Sequence, residues 1–213
     1  NLDRYPIYAT KLPVKQIRRF NGRGRLRIDD LHAFGLQSTK VNIPLLVNNG
    51  IINITGATAK LKAGAYQGDL TIDVRKTVPR VRLKESISGL PGTTLYRWLS
   101  STAIFPQAIS RLSGRATLKV DLNSRGNTYR EIVRHLQGQI DFSIVDGQVR
   151  GVNLVHTACR TLALSQKRIV RPAESASTQF SVIAAKFKVK RGVFRNNDFY
   201  LASSGRVIRV RGK

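Results

Sequence analysis

Residues 40–74, KVNIPLLVNNGIINITGATAKLKAGAYQGDLTIDV, decide the fold. Val41, Ile43, Leu45 and Val47 alternate with Asn42, Pro44 and Leu46, Asn49-Gly50 interrupts, and Ile52 and Ile54 resume the alternation. That is strand, turn, strand: a period of two marks a half-buried strand, and Asn-Gly suits a two-residue hairpin because both residues tolerate positive φ. After Gly56 the apolar set is Ala57, Ala59, Leu61 and Ala63; after Gly64 and Gly68 it is Leu70, Ile72 and Val74. Four successive strands are expected, each with one apolar and one wet face. A sheet that is apolar on one side must cover that side with a second sheet, a helix, a partner or a lipid.

Working outward, Gly22-Arg23-Gly24 opens an earlier strand in which Leu26 and Ile28 alternate with Arg25 and Arg27. A strand follows this GRG tripeptide, whereas a phosphate-binding glycine loop needs a helix N-terminus behind it. On the other side, Val81 and Leu83 alternate with Arg80, Arg82 and Lys84 beyond Pro79. From Thr93 to Leu112 the spacing of Leu95, Trp98, Leu99, Ile104, Ile109 and Leu112 lengthens to that of two short helices, broken by Pro106. Ala116, Leu118, Val120 and Leu122 return to strand spacing, and Thr128-Tyr129-Arg130-Glu131 has the form of a capping box opening a helix.

Ile140, Phe142 and Ile144 predict the next strand, and Asp146-Gly147 a hairpin turn into Val149 and Val152. A helix is expected over residues 153–165 and a mobile basic loop over 165–178. Three strands close the chain, around Ala185, Phe187 and Val189, then Phe199 to Leu201, then Val207 to Val210, with Arg191-Gly192 turning into Val193-Phe194. KVNIPLLVNNGIINITG and KFKVKRGVFRNND share one scheme of strand, x-Gly turn and short apolar strand. Such repetition points to a sheet extended by copies of a module. The expected fold is therefore mainly β: an elongated, strongly curved antiparallel sheet with three to four short helices. Its parts are a lead-in over 1–22, a first β module over 23–90, a helical insert with a strand and capping helix over 91–138, and a second β module over 139–213.

Composition narrows the function classes. The 37 Lys and Arg against 12 Asp and Glu give a formal charge of +25, a field that attracts nucleic acid, anionic lipid headgroups or an acidic protein. No apolar run approaches the roughly 18 residues needed to cross a bilayer. With no Met in the sequence, the chain is expected to be a piece of a longer protein whose targeting or anchoring parts lie outside it. A single cysteine, Cys159, excludes an internal disulfide and a zinc site built on cysteines alone. His156 and Cys159 lie three apart on an expected helix but lack the orienting group or further ligands that a dyad or a metal needs. Asp29 and Asp30 point to opposite faces of a strand, so they form no carboxylate pair. No catalytic constellation emerges, and no cofactor or metal is called for.

Three long segments, taken in order, resemble a known family: GRLRIDDLHAFGLQSTKVNIPLLVNNGIINITGATAKLKAGAYQGDLTIDVR, LSGRATLKVDLNSRGNTYREIVRHLQGQIDFSIVDGQVRGVNL and FSVIAAKFKVKRGVFRNNDFYLASSGRVIRVRGK. With the turn motifs Asn49-Gly50, Tyr66-Gln67-Gly68, Asp146-Gly147 and Asn196-Asn197-Asp198, they resemble the C-terminal periplasmic region of the bacterial AsmA family, over roughly Leu12 to Lys213. The resemblance implies a non-enzymatic protein, anchored in the inner membrane by an N-terminal helix and facing the periplasm. It implies bridge-like phospholipid transfer along an apolar groove, in support of outer-membrane biogenesis.

The groove set on this reading is Leu26, Ile28, Val41, Ile43, Ile52, Ile54, Leu61, Leu70, Ile72, Leu118, Val120, Ile140, Phe142, Phe187 and Val189. Arg23, Arg25, Arg27, Lys167, Arg168 and Arg171 are placed near anionic headgroups. Two other readings stay open. The apolar residues of any antiparallel sheet can close on one another as an ordinary sandwich, with the cations on a solvated outer face. A basic scaffold or nucleic-acid-binding β module is the alternative function. Against it, Phe142, Phe187 and Phe199 fall on the apolar set instead of interleaving with the cations as stacking platforms do.

Overall fold

The protein was analysed as a computed structural model, which describes residues 11–33, 36–100, 110–154, 156–157, 160, 176–203 and 205–210. As the alternation predicts, it is mainly β. Strands β1 (Gly22–Ala33), β2 (Leu36–Asn48), β3 (Ile51–Leu61), β4 (Gly64–Asp73) and β5 (Arg80–Pro91) follow one another, with helix α1 (Val14–Arg19) ahead of them. Helix α2 (Gly92–Ser100) leads toward β6 (Arg111–Leu112) and β7 (Arg115–Arg125), and α3 (Tyr129–Arg134) separates β7 from β8 (Gln137–Arg150). The chain closes with β9 (Ser177–Lys190), β10 (Val193–Asn196), β11 (Phe199–Ser203) and β12 (Arg206–Val210). Ten strands lie side by side in the order β1-β2-β3-β4-β5-β7-β8-β9-β11-β12, with β10 on β9 and β6 on β8. The edge strands β1 and β12 do not pair with each other, so the antiparallel sheet is not closed.

The tight turns form where the residues demand. Asn49 (φ 47°) and Gly50 (φ 76°) join β2 to β3, and Arg191 (φ 54°) and Gly192 (φ 72°) join β9 to β10, both with the paired left-handed geometry that matches strand twist. Gly192 is required twice over, because a Cβ there would stand 2.6 Å from the Val133 carbonyl oxygen. At α3, Thr128 Oγ1 accepts from the Glu131 amide at 3.2 Å, while the Glu131 carboxylate accepts from the Asn127 amide at 2.6 Å, one residue before the cap position. Arg18 fastens α1 to the end of β4 by donating from Nε to the Val74 carbonyl at 2.8 Å.

The longer strands keep one face apolar by breaking their own alternation. In β3 the inward residues are Ile52 and Ile54 before Gly56 and Ala57, Ala59 and Leu61 after it. Ile54 pairs with Leu70 and Ala57 with Gly68, so β3 carries one extra residue. This is a β-bulge, and Gly56 takes its left-handed φ of 69°. The bulge amide finds a partner in Asp69, whose Oδ1 accepts from Gly56 N at 2.7 Å. Similar resets occur at Gly89 (φ 68°), after which Leu90 is buried, and at Asp146 (φ 50°), after which Val149 is buried.

The structure corrects three expectations. Asp146-Gly147 is no hairpin: β8 runs on through it, because β6 pairs with the far side at Val149 and Arg150 and holds the chain in line. Gly147 is needed there for space, since a Cβ would meet Ser113 O at 2.2 Å and the Phe180 ring at 2.4 Å. Leu112 is not helical but sits in β6, buried and opposite Val149. Ser177 and Thr178, assigned to the basic loop, begin β9, and the buried Thr178 hydroxyl accepts from the Leu154 amide at 2.7 Å. The second helix expected before Leu112 and the loop over 165–175 lie outside the described residues, as does most of the helix expected over 153–165.

Two compact units result, each discontinuous in sequence. The first holds Asn1–Ile87, Leu118–Asp141 and Lys186–Asn196; the second holds Ser88–Thr117, Phe142–Ala185 and Asn197–Lys213. They bury their apolar residues differently. The second has a closed core in which Leu90, Ile144 and Leu201 are at most 2 % exposed, with Phe180, Ile183, Leu112 and Val149 also buried. In the first, Val41, Val47, Ala57, Leu61 and Val74 are buried, but most of the inward strand residues remain half-buried.

The Gly56 bulge yields a stability test. No atom lies within 4 Å of a Cβ built at Gly56, so a side chain there meets only the cost of left-handed backbone. Gly56→Ala should lower unfolding free energy by about 1–2 kcal/mol, Gly56→Val by more, and Gly56→Asn by least, because Asn tolerates this region. Urea unfolding of the three variants checks the order.

Candidate functional site

The apolar face of the first unit contains a cavity of about 360 Å³, within the roughly 300–1,000 Å³ usual for ligand sites. It is built by β1 to β5. Val41 and Ile43 come from β2, Ile54, Ala57, Ala59 and Leu61 from β3, Tyr66, Gly68 and Leu70 from β4, and Leu83, Glu85 and Ile87 from β5. Leu31 and Ser38, opposite one another on β1 and β2, complete one end. The bulge at Gly56 makes the site possible: by resetting the phase of β3 it lets Ile54 and Ala57 line the same space.

Of the fifteen residues expected to form a groove, Val41, Ile43, Ile54, Leu61 and Leu70 line this cavity. Cross-strand register sets Leu26 against Ile43, Ile28 against Val41, Val47 against Ile52 and Ile52 against Ile72, so these residues share one face with the cavity. Leu118, Val120 and Ile140 lie in the first unit on β7 and β8, as do Phe187 and Val189 on β9; Phe142 lies in the second unit. Val41, Leu61 and Val189 are buried, and Leu26 is 54 % exposed. Ile28, Ile43, Ile52, Ile54, Leu70, Ile72, Leu118, Val120, Ile140, Phe142 and Phe187 are half-buried. Arg23, Arg25 and Arg27 are exposed and register with Leu46, Pro44 and Asn42 on the other side of β2, away from the apolar set. Lys167, Arg168 and Arg171 lie outside the described residues, and so does Cys159.

Sequence reasoning placed Ala57 and Ala59 on the apolar face but left them out of the groove set, and it missed the aromatic Tyr66 and the carboxylate Glu85. The signal for Glu85 is its phase: it falls between Leu83 and Ile87 on the inward side of β5. Its partner is Tyr66, whose hydroxyl donates to Glu85 Oε1 at 3.2 Å. Burial first, then the neighbouring Glu85 charge and hydrogen bond, push the Tyr66 phenol up to about 12. The ring lies over Gly68, where a Cβ would stand 2.3 Å from the phenol oxygen. The cavity is thus an apolar trough with one polar point fixed on its wall. Among the described residues no group of three or more His, Cys, Asp or Glu converges as a metal site.

The model of the AsmA family matches residues 10–199, nearly the whole chain. The chain belongs to the AsmA family. Comparison with curated proteins and with solved structures gives no match. The AsmA family is associated with the bacterial envelope, and membership is consistent with an envelope- or lipid-related function. No helix among the described residues of this AsmA chain is long and apolar enough to cross a membrane.

Tyr66 offers a titration that reports on the cavity wall. One of the six tyrosines should form phenolate near pH 12, well above the ordinary value of about 10. Its folded value is raised, so the protonated phenol contributes stability that is fully present below pH 10 and is lost as pH rises through about 12. Glu85→Gln should bring this titration down without restoring the ordinary value, because burial remains. Phenolate absorbance against pH measures both.

Proposed function

We propose that this chain binds phospholipid acyl chains along the apolar face of its first unit and passes them between envelope membranes, without catalysis, as part of a larger protein anchored in the inner membrane. The observation that carries the reading is a cavity lined by Val41, Ile43, Ile54, Ala57, Ala59, Leu61, Leu70, Leu83 and Ile87, on a face whose other apolar side chains stay half-exposed. A closed sandwich would bury Ile28, Ile52, Ile72 and Leu26 against a second layer, as the second unit buries Leu90 and Ile144.

Each acyl methylene withdrawn from water contributes about 0.8 kcal/mol, so a dozen contribute on the order of 10 kcal/mol before the cost of immobilising the lipid. That suffices to hold a chain with no polar recognition, and apolar contact of this kind discriminates weakly among acyl chains. Weak discrimination suits passage along a surface. Arg23, Arg25 and Arg27, exposed on the polar side of the edge strand β1, would each add about 1 kcal/mol when close to an anionic membrane surface.

Mass spectrometry of the protein purified in mild detergent should find phospholipid at a stoichiometric level. Ala59→Trp, which fills the trough, and Ile54→Asp, which places a charge in it, should each reduce bound lipid about fivefold or more, the loss of one or two methylene contacts being worth that much. Lipid-free protein, or lipid unaffected by both substitutions, overturns the reading. Tight single-stranded RNA binding with a steep salt dependence would instead favour the basic nucleic-acid module.

A further inference from the structure

The polar face of the same unit holds a second concavity, of about 500 Å³, walled by β4, β5, β7 and the start of β8. Thr71 and Asp73 reach it from β4 and Arg80 and Arg82 from β5, in antiphase with Leu70, Leu83 and Ile87 of the apolar cavity. The two sites therefore lie on opposite sides of the strands that build them.

The seam between β5 and β7 fixes what meets in this basin. Gly126 N donates to Pro79 O at 3.0 Å, and Lys84 Nζ stands 3.5 Å from Asp121 Oδ2. Both contacts give one antiparallel register, which sets Arg80 directly across from Arg125 and Arg82 across from Asn123. Since Pro79 and Gly126 are hydrogen-bonded, Arg80 and Arg125 form the next, non-hydrogen-bonded pair, with Cα atoms about 4.5 Å apart. Like charges so placed destabilise a sheet. Arg82 adds a third guanidinium two residues along the same face, about 7 Å away.

Among the described residues the relief is partial: the Asp73 carboxylate attracts Arg80 without forming an ion pair with it. Arg80, Arg82 and Arg125 form no ion pair with a carboxylate among the described residues. The acid in the basin, Asp73, is held by Arg75 through bonds of 3.0 Å and 2.8 Å. Those side-chain bonds first, then the bond from the Arg75 backbone amide to Oδ1 at 3.0 Å, hold its carboxyl down at about 2, so it stays ionised and engaged. Asn123 and Gln137 line the basin with carboxamides, and His135 lines it with a ring whose Nδ1 donates to Glu131 O at 2.8 Å.

We infer that this basin is a phosphate-monoester site, in which Arg80, Arg82 and Arg125 grip a dianionic phosphate, free or at the end of a phospholipid headgroup. Guanidinium forks match the oxygens of such a group and bind it more strongly than neutral donors do. A dianion between Arg80 and Arg125 converts a repulsive cross-strand pair into a bridged one. The inference stands on the polar face alone and is independent of acyl-chain binding opposite.

The test uses the whole chain at fixed ionic strength. Inorganic phosphate is titrated calorimetrically into wild type, the Arg80→Gln/Arg125→Gln variant and a Lys60→Gln/Lys62→Gln control that removes the same charge from β3 and the turn after it. In parallel, flotation measures retention on phosphatidylcholine vesicles doped with phosphatidate, a monoester, or with phosphatidylglycerol at equal surface charge. The expected result is saturable binding weakened about tenfold or more by Arg80→Gln/Arg125→Gln and changed less than about twofold by the control. Loss in the phosphate titration identifies a free-phosphate site; loss confined to phosphatidate vesicles identifies a headgroup site. Absence of binding in both arms, or equal loss in the control, overturns the inference. Because Arg80→Gln/Arg125→Gln removes a repulsion, its melting temperature without phosphate should be no lower than wild type, and far-UV circular dichroism verifies its fold.

Discussion

Side chains on a strand change face at every residue, and this sheet depends on controlling that phase. A one-residue slip would carry every apolar side chain of a strand to the wet side. Over strands of ten to fourteen residues the sheet spends one left-handed residue to reset the count, at Gly56 in β3, Gly89 in β5 and Asp146 in β8. At Gly56 and at Asp146 the chain supplies a partner for the group that the reset exposes. Asp69 accepts the Gly56 amide, and Asp146 pairs with Arg115. A bulge also twists and bends its strand, so the same residues that keep the apolar face consistent make it concave where Ile54 and Ala57 meet.

What lies on that face differs between the two units. In the second, Phe180, Ile183, Leu90, Ile144 and Leu201 exclude water as an ordinary core does. In the first, Val41, Val47, Ala57 and Leu61 are buried, but most other inward residues of β1 to β4 lie half open beside a trough. Half-burial forgoes part of the transfer free energy these side chains could contribute to folding. The first unit recovers order elsewhere, through the paired ladders of β1 to β4 and through fasteners such as Arg18 on the Val74 carbonyl. Stability from ladders and fasteners leaves the apolar face available.

Most of the fold was legible because its determinants are local. The alternation about Val41 to Val74, the Asn49-Gly50 and Arg191-Gly192 turns and the Thr128 cap each follow from a few adjacent residues. The errors share a cause. Asp146-Gly147 is chemically suited both to a hairpin and to a bulge, since either needs positive φ at Asp146; what decides is β6, which binds Val149 and Arg150 across from it. Leu112 has helical spacing with its neighbours, yet a distant strand recruits it. For the candidate site, the large aliphatic residues could be named from phase alone. Phase put Ala57 and Ala59 on that face too, but did not show that they leave the trough room, and Glu85 was not named at all, because a small residue's space and a lone acid's role depend on the facing strand. The Arg80 and Arg125 pair was still less visible: it needs the register between β5 and β7, which a long insertion separates in sequence.

Charge completes the argument. The 12 acids face 37 Lys and Arg, and the acids are largely committed to local tasks. Asp69 serves the bulge, Asp73 holds Arg75, Glu85 takes the Tyr66 phenol, Glu131 caps α3, and Asp121, Asp141 and Asp146 pair with Lys84, Lys186 and Arg115. The excess of cations cannot be neutralised within the chain, so neutralisation comes from whatever surrounds it. The first unit thus presents two demands on opposite sides of one sheet: apolar surface left half open, and guanidinium groups that form no ion pair with a carboxylate among the described residues. A molecule with an acyl tail and an anionic head meets both kinds of demand, although the two faces need not hold the same molecule. The sheet that separates them is only one backbone thick, so the alternation that aims Leu83 and Ile87 of β5 at the trough also aims Arg80 and Arg82 of that strand to the opposite side.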